Sequence, residues 1–392
     1  MLLVTALMAT TALGIDLMLP AFPDIRAEFG MAADSTKVAW IITAYFLGMA
    51  VGPWCFGPAS DRFGRRTPLR AGLVLYGLSS AVAALAPSWP LVVASRFLWG
   101  IGAAGPRSLS IAMVRDRHEG DAMARLMSMI MAVFLLVPIA APAIGAGLIA
   151  VLPWRAVFWF PVIVSAVLLL WVRRLPETLP DDRRRPFTVR AVLLAGKEVV
   201  THRSAMMLTI AMTFLFGIMN TYLAGSEVLL GDVFGYGDWF PLYFGAIAVA
   251  LAANSLNNSR RVQHLGVHRL IRQIAIMGVV TSAALAIISY TNGGRPNFWA
   301  FTIALTLTVP MAQGLSPLCN TAAMTPLPHV AGTASAIIAT VTTAGGALLG
   351  TLSNSAFDGT TRPFGLHMVA YLCGAALFIT LGTVRHRRPT TA

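Results

Sequence analysis

The sequence predicts an all-α membrane protein with twelve transmembrane helices arranged as two six-helix bundles. Three observations predict it. Of 392 residues, 57% are hydrophobic and only 11% charged, where a soluble domain carries about 25% charged residues. The apolar residues gather into twelve runs, each near the roughly 20 residues that a spanning helix needs. Arginine and lysine collect in alternate connections between those runs, the positive-inside pattern of a chain that crosses a bilayer repeatedly.

The first run, roughly 2–22, lacks the charged start of a signal peptide and leads into further spans, so it is read as a helix. The second, 37–57, ends in the charged stretch Gly57-Pro58-Ala59-Ser60-Asp61-Arg62-Phe63-Gly64-Arg65-Arg66. Gly57 and Gly64 are expected to allow a tight reversal there, with Asp61 able to pair with Arg62, Arg65 or Arg66. The third and fourth runs are 68–87 and 90–113, and Arg115 and Asp116 follow. The fifth, 122–150, holds Pro138 and Pro142, which remove backbone donors and predict a kink, and Gly145, which permits close approach. Met123, Met127 and Met131 repeat there at i, i+4, as packing, lipid contact or a soft substrate-contacting wall. The sixth run is 154–172. Residues 173–203 form the one long polar stretch and predict a linker between an N-terminal bundle, 1–172, and a C-terminal bundle with a short tail, 204–392. The second bundle holds runs 204–230, 239–258, 271–290, 297–319, 333–355 and 364–384. The eleventh repeats the small residues of the fifth with Gly345, Gly346 and Gly350, where two rocking halves would need smooth crossings. The connection from Arg260 to Arg272 matches the place of the first charged stretch but keeps only its positive charge and Gly266.

The net charge of +13 follows this loop alternation, which argues against nucleic-acid binding. The same alternation predicts both termini on the cytoplasmic side. Trp40, Trp89, Trp154, Trp239 and Trp299 all start runs on the opposite side, as an aromatic belt does. Cys55, Cys319 and Cys373 lie in apolar runs, with no metal or disulfide spacing. No phosphate-binding G-x-x-x-x-G-K-[ST] occurs, so energy is expected from an ion gradient, with no cofactor and no metal. Abundant arginine and alanine suggest a bacterial source.

Ionisable residues inside the runs cost about 2.5–3.5 kcal/mol each at a helix centre, so each needs a reason. Asp16 and Arg96 both lie about six residues from the same membrane boundary, roughly 9 Å deep. They could form an ion pair or share an aqueous cavity, as a proton or substrate site; the alternative is a structural pair that fixes packing. Arg107 follows Arg96 by three turns on the same face and either lines that cavity or snorkels to the headgroups. Glu227 reads as interfacial or, if deeper, as a second protonation site. Asn220, Asn254, Asn257, Gln313 and Asn320 read as interhelical hydrogen-bond groups, one or two of them facing substrate. Tyr45 and Trp99 complete the candidate cavity.

The stretch G-x-x-x-D-R-x-G-R-R at 57–66 resembles the cytoplasmic loop signature of the major facilitator superfamily. Gly14-Ile15-Asp16-Leu17-Met18-Leu19-Pro20-Ala21, Tyr45-Phe46-Leu47-Gly48, Arg96-Phe97-Leu98 with Gly100, Val114-Arg115-Asp116, Pro176-Glu177-Thr178 and Pro328-His329-Val330-Ala331-Gly332-Thr333-Ala334-Ser335 resemble, in order along the chain, the bicyclomycin/chloramphenicol-resistance type of drug:proton antiporters. The resemblance implies the major facilitator fold. It places Asp16 as a membrane-embedded acid linked to protonation or substrate, and Arg96 as an arginine associated with proton coupling. Gly57, Asp61, Arg62, Gly64, Arg65 and Arg66 take gating-loop positions that latch onto Arg115 and Asp116. The chain departs from the pattern at Met8, Pro53, Trp99 and Ala141-Pro142-Ala143-Ile144-Gly145-Ala146, which makes the cavity more apolar than usual. The expected function is proton-coupled efflux of small hydrophobic or amphipathic drugs or metabolites by alternating access, from a monomer in a bacterial inner membrane. The alternative is a proton-coupled uptake symporter for a small metabolite.

Overall fold

The computed structural model describes residues 2–118, 120–180 and 189–383. Side chains at 120–122, 124, 125, 128, 129, 131–135, 189–193 and 195 lie outside that description. Among the described residues the protein is helical and has no strand. The helices are α1 (Leu2–Asp16), α2 (Phe22–Glu28), α3 (Trp40–Phe63), α4 (Arg66–Leu85), α5 (Trp89–Arg117), α6 (Gly120–Val151), α7 (Ala156–Val172), α8 (Val189–Thr201), α9 (Arg203–Val228), α10 (Phe240–Leu265), α11 (Val267–Ser289), α12 (Phe298–Met324), α13 (Ala331–Ser355) and α14 (Arg362–Thr383). Among the described residues nine segments are individually long and apolar enough to cross a bilayer, the first being α1 and α2 together, Leu2–Glu28. The end of α6 and α7 form a further apolar pair bent by 120° at the Trp154 turn. In α5, arginines, glycines and prolines dilute the hydropathy of an otherwise apolar helix. Each of the twelve apolar runs therefore finds a helix.

Two local features differ from expectation. The first run breaks: α1 stops at Asp16, and a short 3-10 turn, Leu19–Ala21, leads into α2. Pro20 has no N–H to return to the Asp16 carbonyl four residues back, so the ladder cannot continue there. Gly57 is not part of a reversal, because α3 continues to Phe63 through Pro53 and Pro58. The turn is made by Gly64 alone, at φ +82°, and Gly266 repeats it between α10 and α11 at φ +72°. Helix α6 runs without interruption through Pro138 and Pro142, so the prolines expected to kink it lie inside one continuous helix.

Small residues bring backbones together within each half. A Cβ at Gly100 would meet the Tyr45 carbonyl, and one at Gly48 the Phe97 carbonyl, so α3 and α5 touch along their main chains. Gly345, Gly346 and Gly350 face Thr213, Phe216 and Asn220 of α9, and Gly145 faces the Leu17 backbone. These glycines therefore lock helices of one half to each other and do not line the crossing between halves. That seam carries polar bonds instead. Thr43 and Thr351 hydroxyls lie 2.7 Å apart, Trp54 Nε1 donates to Thr340 Oγ1 at 2.7 Å, and Thr340 donates to the Ala50 carbonyl at 2.8 Å. Met123 and Met127 pack with Met8, Val114 and Ile130, which makes them packing residues; the Met131 side chain lies outside the described residues.

Candidate functional site

The break in the first span generates the site. Three buried side chains donate to carbonyls in the last two turns of α1, and the Gly14 carbonyl among them has no N–H four residues on within the helix. Tyr76 Oη donates to the Thr10 carbonyl at 2.9 Å, Tyr45 Oη to the Thr11 carbonyl at 3.0 Å and Arg96 Nη2 to the Gly14 carbonyl at 2.9 Å. Arg96 Nε also donates to the Ile41 carbonyl at 3.1 Å. Its guanidinium lies 4.5 Å from the Tyr45 ring centroid and 4.3 Å from that of Trp99. A cation at a helix C-terminus is stabilised by the aligned carbonyl dipoles, and aromatic faces add cation–π attraction. Arg96 is fully buried without a carboxylate.

The expected Asp16–Arg96 ion pair is therefore not formed. The two share a depth but not a direction: Arg96 turns into the packed wedge between α1, α3 and α5, and Asp16 lines a cavity. Among the described residues the Asp16 carboxylate has no hydrogen-bond or ion-pair partner, and the residue is 4% exposed. Tyr45 and Trp99 are fully buried in the same wedge and do not line the cavity.

That cavity, about 450 Å³, lies between the two halves. Asp16 and Pro138 form one wall; Tyr222, Phe244, Asn258 and Gln313 belong to the other. Tyr222 and Phe244 stack with centroids 5.3 Å apart and planes 11° apart, giving an aromatic panel. The hydroxyl of Tyr222 and both amide atoms of Asn258 are buried and unbonded. Buried polar atoms are rarely left so, and both residues belong to the cavity wall. Asn254 also lines it, with its amide donating to the Pro310 carbonyl at 2.7 Å, whereas Asn257 and Asn320 point outward. Asn220 donates to the Ala347 carbonyl at 3.0 Å and serves helix packing. Arg107 is accessible although it sits in mid-helix, and among the described residues its guanidinium has no partner.

The two ends of the cavity differ. Along α10 its lining runs from Phe244 to Val262 and along α12 from Gln313 to Thr321, toward the end that carries Asp61 and the arginines. At the tryptophan end, Arg26 of α2 grips Glu227 of α9 through both oxygens, at 2.9 and 2.8 Å. The two side chains are 5% and 10% exposed. Glu227 is therefore a buried partner across the seam, not an interfacial carboxylate. Arg26, which follows the first apolar run and was not singled out from sequence, is the group that reasoning missed. An acid buried in the seventh run was the available signal, since such a charge needs a partner.

At the arginine end, Arg65 is the hub. It reaches Asp61 at 2.7 Å, Asp116 at 2.9 and 3.3 Å and Ser60 at 2.8 Å. Burial alone would lower the Arg65 guanidinium; the Asp116 and Asp61 carboxylates outweigh it and hold it above its ordinary value. Glu177 accepts from the backbone of Arg65 at 2.8 Å and of Arg66 at 3.2 Å. Burial would raise its carboxyl, but N–H donors from Arg65, Leu179, Arg66 and Thr178 prevail and hold it below the usual carboxylate range. Arg66 also donates to the Arg173 carbonyl at 2.6 Å. Arg62 lies over the Phe63 ring and Arg115 is exposed, so neither joins the hub. Among the described residues no group of histidine, cysteine and acidic side chains could hold a metal.

Comparison with known proteins agrees with this geometry. The family model described as Major Facilitator Superfamily matches residues 4–350. A Bacillus subtilis (strain 168) protein described as an uncharacterized MFS-type transporter, YdgK, is 30% identical over 331 residues, 83% of this chain and 81% of its own. A bicyclomycin resistance protein homolog from Haemophilus influenzae is 27% identical over 372 residues, 94% of this chain and 90% of its own. In fold, the chain resembles a D-xylose–proton symporter, with a TM-score of 0.76 at 15% identity over 98% of this chain and 97% of the other. It also resembles the human organic anion transporter MFSD10, at 0.73 and 20% identity over 97% and 98%. The all-helical, multi-pass architecture, the cavity between its halves and these likenesses together make the chain a membrane transporter, not an enzyme, and a member of the major facilitator superfamily.

Proposed function

We propose that the protein exports small hydrophobic or amphipathic molecules from the bacterial cytoplasm in exchange for protons, working as a single chain in the inner membrane. The observation that carries this reading is the unpartnered Asp16 carboxylate in the wall of the cavity. An ionised acid left unpaired inside a membrane protein is costly, so protonation and substrate occupancy compete to relieve it. Arg96 acts as a positioning residue, fixing the end of α1 and so the base of Asp16. The bias of arginines places the Arg65 hub on the cytoplasmic side, with both termini and the residues 173–203 linker between two six-helix bundles. The cavity then faces inward, and Arg26–Glu227 closes the outside. Tyr222 and Asn258 offer hydrogen bonds, and the aromatic panel offers apolar area, which suits a neutral or weakly polar substrate. The bicyclomycin-resistance relative favours a drug-like one. Exchanging one proton for one neutral molecule moves a single charge, about 2.3 kcal/mol per 100 mV of membrane potential.

The test is proton movement in acidified inverted vesicles across a drug panel, comparing wild type with Asp16→Asn. Export by antiport requires drug-driven proton efflux in the wild type and none in Asp16→Asn, while drug counterflow without a gradient persists in both. Full proton coupling in Asp16→Asn removes Asp16 from its role, and cellular accumulation that rises on expression points to uptake.

A further inference from the structure

We infer that a groove between α11 and α14, on the outer surface of the helix bundle, binds an anionic phospholipid, with its phosphate at Arg272 and His268 and an acyl chain along the groove. The groove encloses about 650 Å³, within the roughly 300–1,000 Å³ of ligand pockets. Its walls are Ile271, Ala275 and Val279 on α11 with Ala376, Ile379 and Thr380 on α14. The Thr380 and Thr383 hydroxyls are turned onto the Leu377 and Ile379 carbonyls of their own helix, so the walls present little but hydrocarbon. Ile276 and Val280, beside it, are 60% and 63% exposed; the groove faces the bilayer, and it shares no residue with the central cavity.

Length and charge select the occupant. From His268 to Val280 the helix rises about 18 Å, close to the roughly 15 Å of one leaflet's hydrocarbon. The polar residues sit only at the arginine end, where headgroups lie. Arg272 and His268 stand one helical turn apart, both are exposed, and among the described residues neither side chain has a hydrogen-bond or ion-pair partner. Arg261, by contrast, is tied to Gln273 at 2.9 Å. Helices α10, α11 and α14 contain no aspartate or glutamate, while Arg260, Arg261, Arg269 and Arg272 lie close together in sequence on the first two. No carboxylate in these elements neutralises the patch, which leaves it free to attract an anion from outside. A phosphate that arrives with its own hydrocarbon chain matches both parts of the groove. The inference does not depend on the transport reaction.

Purified full-length protein titrated with phosphatidylglycerol, or with phosphatidylcholine of the same chains, and examined by native mass spectrometry tests this. Phosphatidylglycerol should bind at least about fivefold tighter than phosphatidylcholine. Arg272→Gln with His268→Gln should abolish that preference, Ala376→Phe should weaken both lipids, and soluble glycerol phosphate should not compete. Equal binding of the two lipids by the wild type, which needs no variant to fold, overturns the inference. So does an undiminished preference in the folded charge variant, or full competition by glycerol phosphate, which would mark a site for a free anion.

Discussion

Replacing Glu227 by Gln should open the tryptophan end of the transporter. In the closed arrangement the Arg26 guanidinium is 5% exposed and both of its bonds to Glu227 are charge-assisted. Removing one partner of a buried pair costs about 3–5 kcal/mol because the other charge stays buried and unpaired. That penalty applies only while the halves are closed there; once they part, Arg26 is hydrated. At about 1.4 kcal/mol per factor of ten, the closed-to-open equilibrium should shift by roughly two to three orders of magnitude. Leu230, 2% exposed and three residues from Glu227, reports on it as Leu230→Cys in a background with Cys55, Cys319 and Cys373 replaced. Labelling by a membrane-impermeant maleimide should accelerate at least about tenfold in Glu227→Gln. Arg26→Gln with Glu227→Gln leaves no orphaned charge and should fall between the two. Unchanged labelling in folded, monodisperse Glu227→Gln would show that the pair does not hold the halves together.

Three further outcomes are expected. Arg96→Lys keeps the charge but loses the fork that serves the Gly14 and Ile41 carbonyls, costing about 2–4 kcal/mol of stability through unsatisfied buried acceptors, read as a lower melting temperature of the purified protein. Gly145→Ala places a methyl against the Leu17 backbone, next to the α1 break, and should slow transport more than it lowers expression. Glu177 is held below its unfolded value, which is about 4.3. Its contribution is therefore complete above that pH and is lost as pH falls through the folded value. Melting temperatures from pH 6 to 3 should show an acid-side loss that Glu177→Gln lacks, small because the carboxylate is partly hydrated.

The fold was legible because bilayer insertion writes itself into composition, run length and loop charge. The site was legible only where a single residue violated those rules. Asp16 and Glu227 stood out as acids in apolar surroundings, and both occupy consequential places. What they meet depends on packing that no local pattern encodes. Arg96 gives Nε and Nη2 to carbonyls, which every sequence has, so a carboxylate was sought for it in vain. Arg26 lies past the end of the first apolar run and drew no notice, because its burial depends on Glu227, 201 residues away. Asn258 was passed over for its neighbour Asn257, since one residue of helical phase, 100°, separates facing the cavity from facing outward. The break after Asp16 lay hidden because apolar residues continue through Leu17–Leu19; the signal was Pro20, a missing donor within an unbroken hydrophobic run.

The turns at Gly64 and Gly266 share a positive φ of +82° and +72°, a conformation that L side chains seldom adopt, yet only the first is fastened by carboxylates. Backbone shape and side-chain lock are thus separable inheritances. Transplanting Asp-Arg-x-Gly-Arg-Arg onto the second turn would find a main chain already bent to receive it. It would remain slack, because α12 and the residues after it offer no acid in the role that Asp116 plays for α5. A second lock would need two substitutions on different helices, and until both are present the carboxylate-fastened turn belongs to one half alone.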